Sequence, residues 1–297
     1  MDMPPSVPRR SLRQAARLGL MALAATMGAA CTPLSLFNTF TPTDPALRSA
    51  VNQTYGPAPR QRLDVYAPRR IDGARPIAVF FYGGSWESGR KQDYGWTARA
   101  LAAKGFVVVL PDYRLYPNVR FPEFLNDGAQ AVRWAVEHGP AYGGDPSRVV
   151  LIGHSAGAYN AVMLGLDGRY LKAAGVDPGV VKAVAGLAGP YDFLPLQGRE
   201  TTNVFGQWMD LSATQPMTFA RADAPAMFLA TGDADTVVYP RNTTRLASAL
   251  RQAGATVEER HYPGIGHTEI MMAVSRPFRG KAPLLEDMSV FLREQSR

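Results

Sequence analysis

Short apolar runs alternate with amphipathic stretches along most of the chain, and this alternation predicts its secondary structure. Continuous apolar runs are typical of strands that are buried on both faces. Stretches with apolar residues every three or four positions predict helices. We expect strands at residues 62–66, 77–82, 106–110, 149–152, 181–187, 226–230 and 256–262, and helices at residues 95–104, 124–138, 156–166, 240–253 and 284–292.

Strands that alternate with helices predict a single α/β domain with a mostly parallel central sheet flanked by helices. Ligands of such sheets bind at the carboxyl ends of the strands, so we expect a functional site in the loops that follow them. The weakly patterned segment at residues 194–222 predicts short helices over the sheet, and it leaves room for only a minimal cap.

The first thirty residues have the layout of an export signal. Four arginines precede an apolar run at residues 18–30, which ends in small residues. The run is shorter than the roughly 20 residues that span a bilayer, which disfavours the alternative of a retained membrane anchor. We therefore expect an export signal at 1–30, a Pro/Thr-rich tether at 31–59 and the folded domain at 60–297, with the protein in the periplasm or cell envelope.

Cys31 is the single cysteine, so no disulfide can form within this chain. It follows Gly28-Ala29-Ala30 directly, which resembles a bacterial lipoprotein processing site where the thiol would carry diacylglycerol and anchor the protein to a membrane. Gly28 departs from the leucine that is usual there. The alternative is an ordinary cleaved signal with an incidental cysteine, and Arg9-Arg10 also weakly resembles a twin-arginine signal.

Charge and motifs exclude several classes of function. The formal net charge is +7, of which +3 comes from four arginines and one aspartate in residues 1–30, so about +4 remains for the rest. Beyond residue 30 we find no lysine/arginine block and no nucleic-acid motif, so nucleic-acid binding is not expected. The absence of an H-E-x-x-H motif and of a Cys/His cluster predicts that neither a metal nor another cofactor is needed.

A serine between two glycines stands at a predicted strand-to-helix junction, in Gly153-His154-Ser155-Ala156-Gly157. A sharp turn there would hold Ser155 in a strained conformation at the top of the sheet, as a nucleophile. Larger side chains at Gly153 and Gly157 would clash in such a turn. The helix that begins at Ala156 would direct its positive end at a developing oxyanion. The alternative interpretation is an ordinary strand–helix turn.

A serine nucleophile needs a base, and the chain has four histidines. His138 ends a predicted helix, and His261 lies within a predicted strand. His154 is adjacent to the serine, where neighbouring side chains point apart, so a packing role is preferred. His267 lies in a glycine-containing loop after the last strand and is the predicted base; the alternative is a surface histidine.

The loop after the strand at residues 226–230 offers two carboxylates to orient the histidine, Asp233 and Asp235. The pattern alone leaves both open, although Asp233 could instead bond to the turn backbone. An oxyanion would be stabilised by the backbone N–H of Ala156 and by N–H groups of the glycine-rich loop after residue 82. The alternative for that loop is a simple glycine turn.

These residues together resemble the α/β-hydrolase superfamily, in which serine, aspartate and histidine follow one another in that order. Tyr82-Gly83-Gly84-Ser85-Trp86 resembles the His-Gly-Gly-x-Trp oxyanion loop of hormone-sensitive-lipase-like esterases, kynurenine formamidases and feruloyl-esterase-like (BD-FAE) hydrolases, with tyrosine in place of histidine. Residues 112–115 (D-Y-R-L) and 142–148 are also similar to segments of this group. The resemblance covers roughly residues 60–295.

The resemblance implies roles for individual residues. Gly232-x-x-Asp235-x-x-Val238 is similar to the family's acid motif, which favours Asp235 over Asp233. The family's pattern further implies a carboxylesterase that cleaves short-acyl or aryl esters through an acyl-enzyme. Its triad would be Ser155, His267 and Asp235, and its oxyanion donors would be Gly84, Ser85 and Ala156.

Two other functions remain open at this point. One is an amidase, arylformamidase or peptidase with the same triad, and the other is a non-catalytic envelope lipoprotein that binds ligands on a hydrolase scaffold. The expected partner is a small-molecule ester, and the sequence does not fix its acyl group, its alcohol or the oligomeric state. Four aromatic residues either line the pocket or belong to the core: Trp86, Tyr159, Phe193 and Trp208.

Overall fold

The computed structural model describes Phe37, residues 41–70 and residues 72–297. The export signal predicted at residues 1–30 and the modification predicted at Cys31 lie outside the described residues. Within the described residues, none of the helices combines the length and the apolar character that crossing a bilayer requires. Residues 41–297 belong to one compact unit.

Within this unit, eight strands form one sheet in the order β1-β2-β4-β3-β5-β6-β7-β8. β1 and β2 pair antiparallel, as do β2 and β4, and every later pair is parallel. The prediction of a mostly parallel sheet is therefore confirmed. The strands are β1 (Ala46–Thr54), β2 (Arg62–Pro68), β3 (Arg75–Phe81), β4 (Val107–Pro111), β5 (Gly144–His154), β6 (Val181–Leu187), β7 (Ala226–Gly232) and β8 (Val257–Tyr262).

Helices cover both faces of the sheet, because each parallel crossover returns over one face or the other. α2 packs beside α3, and α8 packs beside α1. Short helical turns at 211–214 and 216–219 lie in the segment where a minimal cap is predicted. The helices are α1 (Gly95–Ala103), α2 (Glu123–His138), α3 (Ala156–Leu166), α4 (Arg169–Ala173), α5 (Arg199–Phe205), α6 (Arg241–Ala253), α7 (His267–Met272) and α8 (Leu284–Gln295).

The core lies on both faces of the central strands. The inner residues of β3, β4, β5 and β6 are fully buried, as is Phe228 on β7. Their continuous apolar sequences are the reason, since a strand that is covered on both sides has no polar face. The rigid sheet then presents the loops at its carboxyl edge, where the predicted site residues lie.

The predicted boundary at residue 60 is wrong, because β1 already belongs to the sheet. Its residues pair antiparallel with β2, from Ala46 opposite Pro68 to Thr54 opposite Arg62. The region assigned to a tether, 31–59, therefore contains a strand in its second half. Most side chains of β1 are exposed or half-buried, so its own sequence carries little of the apolar pattern that marks a strand.

Polar contacts hold β1 in place instead. Arg48 forms an ion pair with Asp64 of β2, and the backbone N–H of Asn52 donates to the same carboxylate at 2.9 Å. Lys91, which is fully buried, completes the group, with its Nζ 2.8 Å from Asp64 Oδ1 and 2.6 Å from Asn52 Oδ1. A buried ammonium and a buried carboxylate need each other, since either one alone would carry a large desolvation cost.

Candidate active site

Ser155 occupies the sharp turn between β5 and α3. Its backbone has φ 55° and ψ −124°, a conformation that non-glycine residues rarely adopt and that costs free energy. The N–H of Ser155 donates to the carbonyl of Leu187, at the end of β6, at 2.9 Å. The sheet therefore holds the turn from the neighbouring strand, and the serine projects above the carboxyl edge.

The glycines at 153 and 157 are required by close backbone approach. A Cβ on Gly153 would lie 2.1 Å from the carbonyl oxygen of Gly157, and a Cβ on Gly157 would lie 2.1 Å from the carbonyl oxygen of Phe81 on β3. Both distances are far below a normal contact. The steric crowding expected from the motif is present in the fold.

The fold brings together three side chains that are distant in sequence. His267 Nε2 lies 2.9 Å from Ser155 Oγ, and His267 Nδ1 lies 2.8 Å from Asp235 Oδ2. The carboxylate can only accept, so Nδ1–H donates to Asp235 and the Nε2 lone pair faces the serine hydroxyl. His267 is the first residue of α7, immediately after the loop in which it was predicted.

Asp235 is well placed to remain a carboxylate. It is 2% exposed, and its second oxygen accepts the N–H groups of Val237 and Val238, both at 2.9 Å. Burial raises the pKa of Asp235, but the hydrogen bond and the charge of His267 and the two backbone donors outweigh it, so the pKa lies below the usual value. The imidazole therefore faces a negative charge.

Asp233 lies elsewhere. Its carboxylate is about half exposed and is 3.1 Å from His261 Nδ1, not from His267. His261 also lies 3.0 Å from Glu259 on the exposed part of β8. His138 is distant too, since it donates to the carbonyl of Trp134 within α2.

His154 has a contact that the sequence did not reveal. Its side chain is buried, and its Nε2 lies 3.0 Å from the carbonyl oxygen of His267. The imidazole of His154 contacts the backbone of His267, whose own ring lies at hydrogen-bond distance from Ser155. No spacing in the sequence signals this contact, because it joins residues that are more than a hundred positions apart.

The glycine-rich loop after β3 lies beside the serine. Gly84, Ser85 and Trp86 all have positive φ, at 130°, 53° and 58°. Among the described residues, the N–H groups of Gly84, Ser85 and Ala156 donate to no other group. Ser85 and Ala156 line the same cavity as Ser155. Free backbone donors at this position suit a negatively charged oxygen.

Tyr82, at the position where the resemblance led us to expect histidine, anchors this loop through its side chain. Its hydroxyl donates to Asp112 Oδ1 at 2.9 Å and accepts from Arg60 Nη2 at 2.7 Å. Its ring stacks between those of Tyr94 and Tyr113, with centroids 5.6 and 4.8 Å away. The tyrosine thus connects the loop to Asp112 in the D-Y-R-L segment. The sequence did not predict the part that Arg60 plays in this contact.

A cavity of about 330 Å³ opens at Ser155. Trp86 and Phe193 contribute apolar surface to it, together with Leu194 and Val238. Tyr159 is not part of this lining: it is fully buried, and its hydroxyl donates to the carbonyl of Thr214 at 2.7 Å. Tyr159 is instead a core residue.

Three further observations define the extent of the site. Trp208 does not line this cavity either, since its ring packs edge-on against Phe121 at 5.0 Å. A larger cavity of about 720 Å³ lies at the amino ends of β6 and β7 and contains none of the groups described above. Across 41–70 and 72–297, no group of three or more histidine, cysteine or acidic side chains could hold a metal ion.

Comparisons with known proteins bear on this site. The family model described as BD-FAE matches residues 63–250. Isoprenylcysteine alpha-carbonyl methylesterase ICME of Arabidopsis thaliana is 30% identical over 258 residues, which cover 79% of this chain and 60% of that protein. Carboxylesterase NlhH of Mycobacterium tuberculosis (strain CDC 1551 / Oshkosh) is 30% identical over 242 residues, covering 73% of this chain and 74% of that protein. This chain thus spans about 60% of the length of the plant relative.

Solved structures show the same fold at lower identity. An inhibited esterase B from Lactobacillus rhamnosis superimposes with a TM-score of 0.78 at 19% identity, over 95% of this chain and 97% of that one. Esterase 2 of Thermogutta terrifontis gives a TM-score of 0.68 at 23% identity, over 84% of this chain and 96% of that one. At such identities the likeness concerns the architecture of the domain.

Proposed function

Because the chain belongs to the BD-FAE family of α/β-hydrolases, we propose that it hydrolyses carboxylic esters with Ser155 as the nucleophile. The observation that carries the proposal is the pair of hydrogen bonds that link Ser155, His267 and Asp235. These residues follow β5, β8 and β7, so the carboxyl edge of one sheet brings them together. The names of the relatives, esterase and methylesterase, support the same reaction.

Acylation begins with the proton of the serine hydroxyl. His267 Nε2 takes this proton as Ser155 Oγ attacks the carbonyl carbon of the ester, and a tetrahedral intermediate forms. Asp235 stabilises the resulting imidazolium, and in the neutral ring it keeps the proton on Nδ1 of His267. The N–H groups of Gly84, Ser85 and Ala156 stabilise the oxyanion, and a donor of this kind is worth about 10²–10³ in kcat.

Acylation ends when His267 donates its proton to the leaving alcohol, which breaks the C–O bond and leaves an acyl group on Ser155. Deacylation then repeats the same steps with water as the nucleophile. The neutral imidazole then takes a proton from a water molecule. The oxygen of that water attacks the carbonyl carbon of the acyl group on Ser155. Collapse of the second intermediate returns the proton to Ser155 and releases the carboxylic acid.

The size of the cavity favours a small acyl or aryl group. About 330 Å³ is near the lower limit of ligand-binding pockets, and Trp86 and Phe193 give it an apolar wall. The plant relative is named as a methylesterase, which supports an ester with a small alcohol. We therefore propose short-acyl or aryl esters of small alcohols as the substrate class.

Replacement of the serine tests the proposal. Ser155→Ala should lower the turnover of p-nitrophenyl acetate by about 10⁴ or more, because no nucleophile remains. Circular dichroism and labelling by a fluorophosphonate probe are measured alongside, and labelling should be lost while the spectrum is unchanged. The matched control is Ser248→Ala on α6, which should behave as the wild type.

Two results would count against the proposal. Turnover that persists in Ser155→Ala excludes this serine as the nucleophile. Equal or faster cleavage of matched anilides in a panel of p-nitrophenyl esters and anilides would point to an amidase instead.

A further inference from the structure

His154 is close to Ser155, to His267 and to the loop at residues 83–86, all of which the proposed reaction uses. It is the last residue of β5 and directly precedes Ser155. Its Nε2 is 3.0 Å from the carbonyl oxygen of His267, and the two imidazole rings are 5.0 Å apart. On its other side is the oxyanion loop, where a Cβ built on Gly83 would lie 3.2 Å from His154 Nδ1. His154 is 7% exposed as a residue and does not line the cavity, so its ring is shielded from substrate.

The hydrogen bond defines the tautomer of His154. A carbonyl oxygen only accepts, so Nε2 carries the proton and Nδ1 holds a lone pair. Within the part of the chain that the structure describes, Nδ1 has no hydrogen-bond partner. Burial, together with the nearby His267, lowers the pKa of His154 to about 3, so the ring is neutral at ordinary pH. Neutrality suits the site, because a second positive charge would oppose protonation of His267 during acylation.

His154 adds a contact to a short backbone segment that is otherwise held by the N–H of Ala234, which donates to the carbonyl of Ile265 at 3.1 Å, and by Glu269, which accepts the N–H of Gly266 at 2.9 Å. α7 has only six residues, and it follows a loop in which Gly264 has a φ of 70°. The imidazole of His267 is restrained by Asp235, but a side-chain hydrogen bond does not fix the main chain that carries it. The contact from His154 joins that main chain to β5, the strand that ends directly before Ser155.

We propose that His154 is a positioning residue, which fixes the main chain of His267 at hydrogen-bond distance from Ser155. The inference rests on the proposed function, since it concerns the rate of the reaction that depends on Ser155. A donor at the Nε2 position is essential to this role, and the aromatic ring is not. A shift of about 1 Å in a catalytic group can cost about 10²-fold in rate, so a single hydrogen bond at this point can matter to catalysis.

Two amide substitutions separate the hydrogen bond from the packing. In His154→Gln the amide nitrogen reaches close to the original Nε2 position, whereas in His154→Asn it stops near the position of Nδ1. Both remove the ring and both leave an uncharged amide. We expect His154→Gln to keep kcat within about tenfold of the wild type and His154→Asn to lose about 10²-fold. KM should stay within about twofold in both, because His154 does not touch the substrate.

The measurement is kcat and KM for p-nitrophenyl acetate, with the concentration of active sites counted by fluorophosphonate titration so that unfolded protein is excluded. Equal kcat values in the two variants would overturn the proposal. A higher KM with unchanged kcat would overturn it as well. If His154→Asn does not fold, His154→Gln decides by itself: near wild-type kcat supports the role, and a 10²-fold loss contradicts it. Ser155→Ala tests the proposed function separately, since it requires no assumption about His154.

Discussion

At the scale of single residues, Asp233 and Asp235 illustrate how surroundings separate two identical side chains. One alanine lies between them, yet Asp235 is buried against His267 while Asp233 is about half exposed beside His261. The residue pattern alone left both open, because it does not show which carboxylate turns inward. Family resemblance favoured Asp235, and Asp235 is the carboxylate that lies 2.8 Å from His267 Nδ1.

The two carboxylates should differ sharply when each is neutralised. Asp235→Asn removes the charge that faces the imidazolium and disturbs the tautomer of His267, so kcat should fall by about 10⁴, as for the equivalent change in a serine-protease triad. Asp233→Asn should leave kcat within about twofold. Steady-state kinetics with p-nitrophenyl acetate make the comparison. Similar losses of kcat in the two variants would show that Asp235 has no special role in supporting His267.

At the scale of elements, the glycine-rich loop at residues 83–86 shows what residue patterns can and cannot specify. The glycines and their place after a buried strand predict a loop at the site, and the structure places them there. Two features of the loop could not be predicted in this way. They are the three consecutive positive φ values at 84–86 and the anchoring of Tyr82 by Arg60 and Asp112. They depend on contacts between segments that no local pattern connects.

Loss of the Tyr82 hydroxyl should loosen this loop. Tyr82→Phe keeps the ring stack but leaves Asp112 with one hydrogen-bond donor fewer inside the protein. The free energy of unfolding should fall by about 1–3 kcal/mol, the usual cost of a buried polar group left without its partner. kcat should fall as well, because Gly83 and Gly84 follow Tyr82 directly.

Urea unfolding and steady-state kinetics test this prediction together. Tyr142→Phe serves as the control, since that tyrosine stacks on Trp134 outside the loop at residues 83–86. An unchanged kcat in Tyr82→Phe, with stability lowered, would limit Tyr82 to a structural role. If neither quantity changes, the hydroxyl does not support the loop.

At the scale of the whole molecule, apolar patterning predicted the central sheet but not its first strand. The strands from β3 to β7 are continuous apolar runs, so burial on both faces could be predicted directly from the sequence. β1 is held by Arg48, Asn52 and their polar partners, and the loop before α7 is held by the N–H of Ala234, which donates to the carbonyl of Ile265 at 3.1 Å. Local patterns carry little information about either. Export and lipidation at the N-terminus stay predictions, because their residues lie outside those described.

The stability of the whole fold should depend on pH through His154. The pKa of His154 is about 3 in the folded state, whereas an unfolded histidine titrates near 6.5. Between these values the unfolded state binds a proton that the folded state does not, so stability falls as the pH falls. From pH 7 to pH 5 the free energy of unfolding should drop by about 2 kcal/mol from this residue.

Comparison with His154→Gln isolates this contribution, because glutamine does not titrate and all other ionisable groups are common to both proteins. Asp64 and Asp235, whose pKa values are lowered, begin to destabilise the fold only below about pH 4, where the unfolded carboxylates take up protons. Urea unfolding at pH 7 and pH 5 should therefore show a smaller loss in the variant than in the wild type. Parallel losses in the two proteins would mean that His154 is not held neutral in the folded state, and the hydrogen bond to His267 would then need another explanation.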